Sequence, residues 1–123
     1  MPHFLETLYE AQKIAFAPFL FKAVSAALQT EFLPGIVHQK SPKTTHEWAE
    51  TLGLTPYAVD VMADILVSAR VLARREDGTF ESTRVGDLLV LDEMTRVNFF
   101  FTDRTNYAGL EKTLDALLEG RPA

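Results

Sequence analysis

The chain has no cysteine, so neither a disulfide nor a thiolate metal site can contribute to its fold or chemistry, and the redox compartment stays open. It has no run approaching the ~20 apolar residues of a membrane span. The acidic Glu6 and Glu10 fall where a signal peptide would place its basic and apolar regions. These absences predict a cytoplasmic protein with no membrane partner. Glycine is scarce, and positions 35, 53, 78, 86, 109 and 120 never come close enough together to cradle a nucleotide or dinucleotide. His38 and His46 lack a third ligand at metal spacing, and Glu47 beside His46 does not build the helical His pair of zinc peptidases. No metal is expected. Glu76 and Asp77 are adjacent carboxylates, but they belong to a turn, where acidic residues serve backbone geometry. With no nucleophile elbow and no His-carboxylate cluster, the sequence holds no self-sufficient active site. Either it binds rather than catalyses, or a catalytic half lies outside these 123 residues.

Positive charge is also sparse. The formal net charge is -5, which gives no electrostatic pull toward nucleic acid or an anionic membrane. The shortage is sharpest in residues 44–83, whose pattern reads helix, turn, helix, hairpin. Thr44 and Glu47 form a capping box that fixes a helix start, Trp48, Ala49 and Leu52 line one side, and Gly53 ends it. Thr55 caps a second helix beginning at Pro56, where a missing N–H costs nothing. Val59, Met62, Leu66 and Ala69 form its inner stripe, with Ile65 broadening it. Two strands, 71–75 and 79–83, join through Asp77-Gly78. This order is a winged helix-turn-helix, within a mainly α fold. A recognition helix on DNA needs cations for phosphates and polar groups for base edges. This one carries Asp60 and Asp64 on one face, and residues 44–85 hold four Arg (70, 74, 75, 84) and no Lys against seven acids. No nucleic-acid partner is expected, although a free-standing dimeric winged-helix regulator of transcription is the alternative of a different class. A stand-alone interaction module is a third.

What is abundant is apolar surface, at 47% of residues with nine Phe. Phe4, Leu5, Leu8, Ala11 and Ala15 predict an amphipathic helix over 3–13. Pro18 can open a second helix running to residue 30, in which Phe19, Leu20, Ala23, Val24, Ala27 and Leu28 line more than one face. That breadth predicts full burial, in a core or between two chains. Pro34, Gly35 and Pro42 mark residues 32–43 as a connecting loop. After the hairpin, Thr83 caps a helix with Val85, Leu88 and Leu89 facing inward, and Gly86 marks a close backbone approach. Asp92 opens a run with Met94, Val97 and Phe101 at helical spacing. Phe99, Phe100 and Phe101 cannot all face one core, so at least one points at a neighbour. A last helix over 106–119 sets Tyr107, Leu110, Leu114, Leu117 and Leu118 on one stripe, and Gly120-Arg121-Pro122 reads as a helix stop leading to an extended linker.

Thr44-Thr45-His46-Glu47-Trp48-Ala49 with Leu52-Gly53-Leu54, then Leu66, Val71-Leu72, Asp77-Gly78-Thr79-Phe80, Thr83, Gly86 and Leu88-Leu89, resembles the N-terminal winged-helix dimerisation domain of class I S-adenosylmethionine-dependent O-methyltransferases. Asn106-Tyr107-Ala108-Gly109-Leu110 through Glu119-Gly120-Arg121-Pro122 is similar to that family's helix leading toward the catalytic domain. The sequence departs from the pattern at Gln29-Thr30-Glu31, where many relatives have a glycine turn. The resemblance implies one domain: dimerisation helices over 1–35, a winged-helix core over 44–83, and C-terminal helices over 84–119 leading to an absent catalytic domain. It implies a homodimer that shapes the substrate pocket without transferring methyl groups itself. Phe4, Leu8, Phe19, Leu20, Phe99, Phe100 and Phe101 become candidate interface residues, and Asn106 and Tyr107 candidate substrate-facing ones. S-adenosylmethionine and a small-molecule methyl acceptor are implied for the parent protein, with no cofactor or catalytic residue in this segment.

Overall fold

The computed structural model describes residues 2–120. The winged helix-turn-helix is present, built as α4 (Thr45–Leu52), α5 (Pro56–Ser68), β1 (Leu72–Arg74) and β2 (Phe80–Ser82). Thr44 caps α4 reciprocally: its Oγ1 accepts the Glu47 N–H at 3.3 Å while its own N–H donates to Glu47 Oε1 at 2.9 Å. Gly53 closes the helix at φ 71°, a left-handed turn that costs glycine little. The Thr55 hydroxyl caps α5 by accepting the Ala58 N–H. The strands pair antiparallel with Leu72 opposite Ser82 and Arg74 opposite Phe80. Asp77 makes the turn by accepting both the N–H and the hydroxyl of Thr79, at 3.0 and 2.6 Å, which holds its carboxyl below the usual range.

Around this unit lie α1 (Pro2–Ala15), α2 (Ala17–Gln29), α3 (Phe32–Val37), α6 (Arg84–Leu91), α7 (Glu93–Phe101) and α8 (Thr113–Glu119). Among the described residues no single helix is long and apolar enough to cross a membrane, and α1 and α2 are bent by 71° relative to each other. One core joins α2, α3, α4, α5 and the hairpin. Phe32, Leu33, Ile36, Val59, Leu66, Leu72 and Phe80 are sealed within it. Phe32 meets the rings of Trp48 and Phe80 edge-on at 5.8 and 5.9 Å.

Three expectations are corrected. Residues 32–37 are a helix, not a loop, and contribute Phe32, Leu33 and Ile36 to the core. Pro34 is tolerated because it lies in the first turn, where a backbone N–H has no intrahelical partner. Gly35 is there for space, since a Cβ would come 2.7 Å from the Trp48 ring. In α6, Val85 and Leu88 point outward; Gly86 is buried and Leu89 packs on the core. The close approach at Gly86 is real: a Cβ would sit 2.5 Å from the Val71 carbonyl oxygen. The last helix is not continuous. A wide π turn (Thr102–Asn106) and a 3-10 segment (Tyr107–Lys112) precede α8. Gly120 ends α8 at φ 70°, while the linker expected at Arg121-Pro122 lies outside the described residues.

Candidate functional site

On the winged helix, the two wing arginines and Asp60 make their contacts within the domain. Arg74 Nη2 lies 3.1 Å from Asp64 Oδ1, and Arg75 Nη2 lies 3.1 Å from Glu81 Oε2. Asp60 accepts a hydrogen bond from the Thr45 hydroxyl at 3.2 Å. Both wing cations therefore face carboxylates of their own domain. His38 and His46 are both exposed, and among the described residues no group of three or more potential ligands could hold a metal ion.

Two arms flank this unit. Of residues 3–15 in α1, Tyr9 is half-buried and the rest are exposed, including Phe4 and Leu8. The arm touches the body where the Arg70 guanidinium stacks 3.9 Å from the centre of the Tyr9 ring. In α2, Ala23, Val24 and Ala27 are buried and Leu20 is half-buried, but Phe19 is 67% exposed, so within one copy the core does not cover it. A groove of about 510 Å³ runs between α1, α2 and α5, lined by Tyr9, Phe16, Phe19, Leu20, Ile65 and Ala69.

The second arm begins in α7. Phe99 stacks on Phe21 of α2 with ring centres 4.3 Å apart, whereas Phe100 and Phe101 are exposed. The three consecutive rings thus divide between inside and outside. Tyr107 also stacks on Phe21, at 5.1 Å, and its hydroxyl donates to the Pro18 carbonyl at 3.3 Å. Asp103 lies between Phe99 and Tyr107 in the chain, with its side chain 9% exposed. It accepts from Lys22 Nζ at 2.8 Å and from the Ser25 hydroxyl at 2.6 Å, and Gln29 Nε2 donates to Ser25 at 2.8 Å. Lys22 first and Ser25 second hold the Asp103 carboxyl below the usual range. Lys22 also lies 4.2 Å from the centre of the Tyr107 ring. Of the two candidate substrate-facing residues, Asn106 is exposed and Tyr107 is half-buried in this clamp. Beyond it Leu110, Leu114, Leu117 and Leu118 are 50% to 77% exposed. A second, larger groove of about 1030 Å³ lies between α2, α3, α6 and α7, where Leu28, Leu89, Phe99 and Phe100 meet the polar Glu31 and Arg96.

The expectations drawn from the sequence do not include the Lys22-Ser25-Asp103 cluster. A signal for it exists: Lys22, Ser25 and Gln29 form a polar line at helical spacing along an otherwise apolar helix.

No family model and no curated protein matches the sequence. Solved structures do. LepI in complex with S-adenosylhomocysteine and a substrate analogue has a TM-score of 0.76 at 14% identity, over 89% of this chain and 28% of its own. The S-adenosylmethionine-dependent methyltransferase SibL gives 0.76 at 15% identity, over 88% of this chain and 32% of its own. CalO1, a methyltransferase in calicheamicin biosynthesis with S-adenosylhomocysteine bound, gives 0.71 at 25% identity, over 97% of this chain and 36% of its own. The chain spans about a third of the length of these proteins. Its fold is one that S-adenosylmethionine-dependent methyltransferases carry as a part of themselves.

Proposed function

We propose that this chain is the N-terminal dimerisation and substrate-pocket-shaping domain of an S-adenosylmethionine-dependent small-molecule O-methyltransferase. These residues carry out no catalysis by themselves. The observation that carries the reading is a winged helix with carboxylate-paired wing arginines and exposed apolar arms, in a fold found as about a third of such enzymes. The arms give two protomers something to bury. In this reading Phe4, Leu8, Phe19, Leu20, Phe100 and Phe101 contribute to the contact between copies, and Phe99 supports them by anchoring α7 on Phe21. Asn106, exposed at the start of the arm, is the residue turned toward the methyl acceptor, and Tyr107 holds it in place. S-adenosylmethionine and the catalytic base belong to the remainder of the enzyme.

Sedimentation at micromolar concentration should give twice the monomer mass, and Phe19→Asp or Phe101→Asp should shift the chain toward monomer, because an unpaired charge in an apolar contact is costly. In the full-length enzyme, removing α1 through Ala15, which leaves the core residues of α2 and α3 in place, should weaken dimerisation and turnover while leaving affinity for S-adenosylhomocysteine unchanged. A monomeric wild type would overturn the dimer. Tight duplex binding that weakens steeply with added salt would replace the reading with a transcriptional regulator.

A further inference from the structure

Among the described residues, the groove between α1, α2 and α5 has no carboxylate in its lining. Its walls are aromatic and aliphatic, and the charged group among them is the Lys13 ammonium, with Arg70 close by on Tyr9. Lys13 meets Glu10 of its own helix at 3.5 Å, an exposed pair that leaves the ammonium open to a second carboxylate. A fitting occupant is therefore apolar on one side and anionic beside it. The C-terminal arm has this composition. Leu110, Leu114, Leu117 and Leu118 are exposed, and Glu111 and Asp115 follow two of these leucines directly in sequence. From this complementarity we infer that the groove receives the C-terminal arm of a second copy of this chain. The inference rests on the dimer reading above and specifies which segments the two copies exchange.

The placement of the arm's root supports exchange between copies. The bond from Tyr107 to the Pro18 carbonyl sets the root next to Phe19, which lines the groove of the same chain. Asp103 and Tyr107 pin that root, and the leucines beyond it stay outside their own groove. Where one copy's arm enters the other's groove, a two-fold axis repeats the contact, so both form at once. The exposed apolar residues of α1, α2 and the arm, at on the order of 100 Å² each, offer about the 800 Å² per partner that a stable interface requires.

Charge exchange tests this. Lys13→Glu alone sets a carboxylate against Asp115 at both contacts, and Asp115→Lys alone sets an ammonium against Lys13. Each should weaken self-association about tenfold, since each dimer then contains two like-charge pairs. The doubly substituted chain, with opposite charges restored at both contacts, should regain wild-type affinity. The absence of native cysteine permits a second readout. Ser68→Cys in the groove and Leu117→Cys in the arm, mixed as two single-cysteine proteins, should join preferentially to each other under a short bis-maleimide. Cross-linking of the two cysteines only when both are on one chain would mean that the arm folds onto its own groove and would overturn the inference. A wild-type dimer indifferent to both reversals, or one cross-linked only between identical variants, would overturn it while leaving the dimer standing. A monomeric wild type would overturn both.

Discussion

The winged-helix body and the two arms spend their apolar residues in opposite ways. In the body, Phe32 and Phe80 have no exposed surface, and α4, α5 and α6 each start at a threonine cap. In the arms, Leu117 and Leu118 are 74% and 77% exposed, on a helix whose apolar spacing is just as regular. Periodicity therefore reports that a face is made for burial, not whether its cover belongs to the same chain. The body seals a core of its own, although Tyr57, Val85 and Leu88 stay outside it; the arms hold apolar surface that a single copy does not hide.

Substitutions can break this contrast. The largest effect should come from Phe32→Ala, which removes a ring touching both Trp48 and Phe80 and should cost about 3–5 kcal/mol in a denaturant titration. Gly86→Ala should cost about 1–3 kcal/mol, because the new methyl meets a backbone carbonyl that cannot swing away. Asp103→Asn lies at the junction of the two regions. It should cost about 1–2 kcal/mol through the weakened bonds from Lys22 and Ser25, and limited proteolysis should cut sooner between 102 and 112. The sign of the pH dependence follows from the lowered carboxyl. Its contribution is complete above the unfolded value of about 3.9 and is lost as pH falls through the lower folded value. An acid titration of wild type against Asp103→Asn should show the difference closing only below that point. Smallest is Leu117→Ser, expected to leave the dilute chain's stability unchanged within about 0.5 kcal/mol. A larger loss would mean that the arm is part of the body after all.

The same contrast governs what is legible in the sequence. Caps, hairpin and inner stripe of α5 are local signals, and each is found within a residue or two of its expected place. α3 is hidden because Pro34 and Gly35 read as breakers. Their tolerance depends on position within a turn and on the Trp48 ring, which comes from another helix. Glu31 is a related case: it adopts φ 72° at the α2-α3 junction, the left-handed conformation for which glycine is the usual choice. The departure in sequence leaves the turn intact. Val85 and Leu88 face outward, against expectation, because Gly86 and Leu89 turn the opposite side of the helix to the core. The Asp103 clamp spans residues 22 to 103, a separation that no local pattern encodes.

The wide turn at Thr102–Asn106 acts as a phase adjuster. An α-helix advances about 100° per residue, so one extra residue in a turn rotates everything downstream by that angle. Phe99 and Tyr107 can thereby both grip Phe21, and the 3-10 segment that follows sets the later leucines at another phase. Removing one residue from that turn would leave the composition of the arm almost untouched and point it in a different direction.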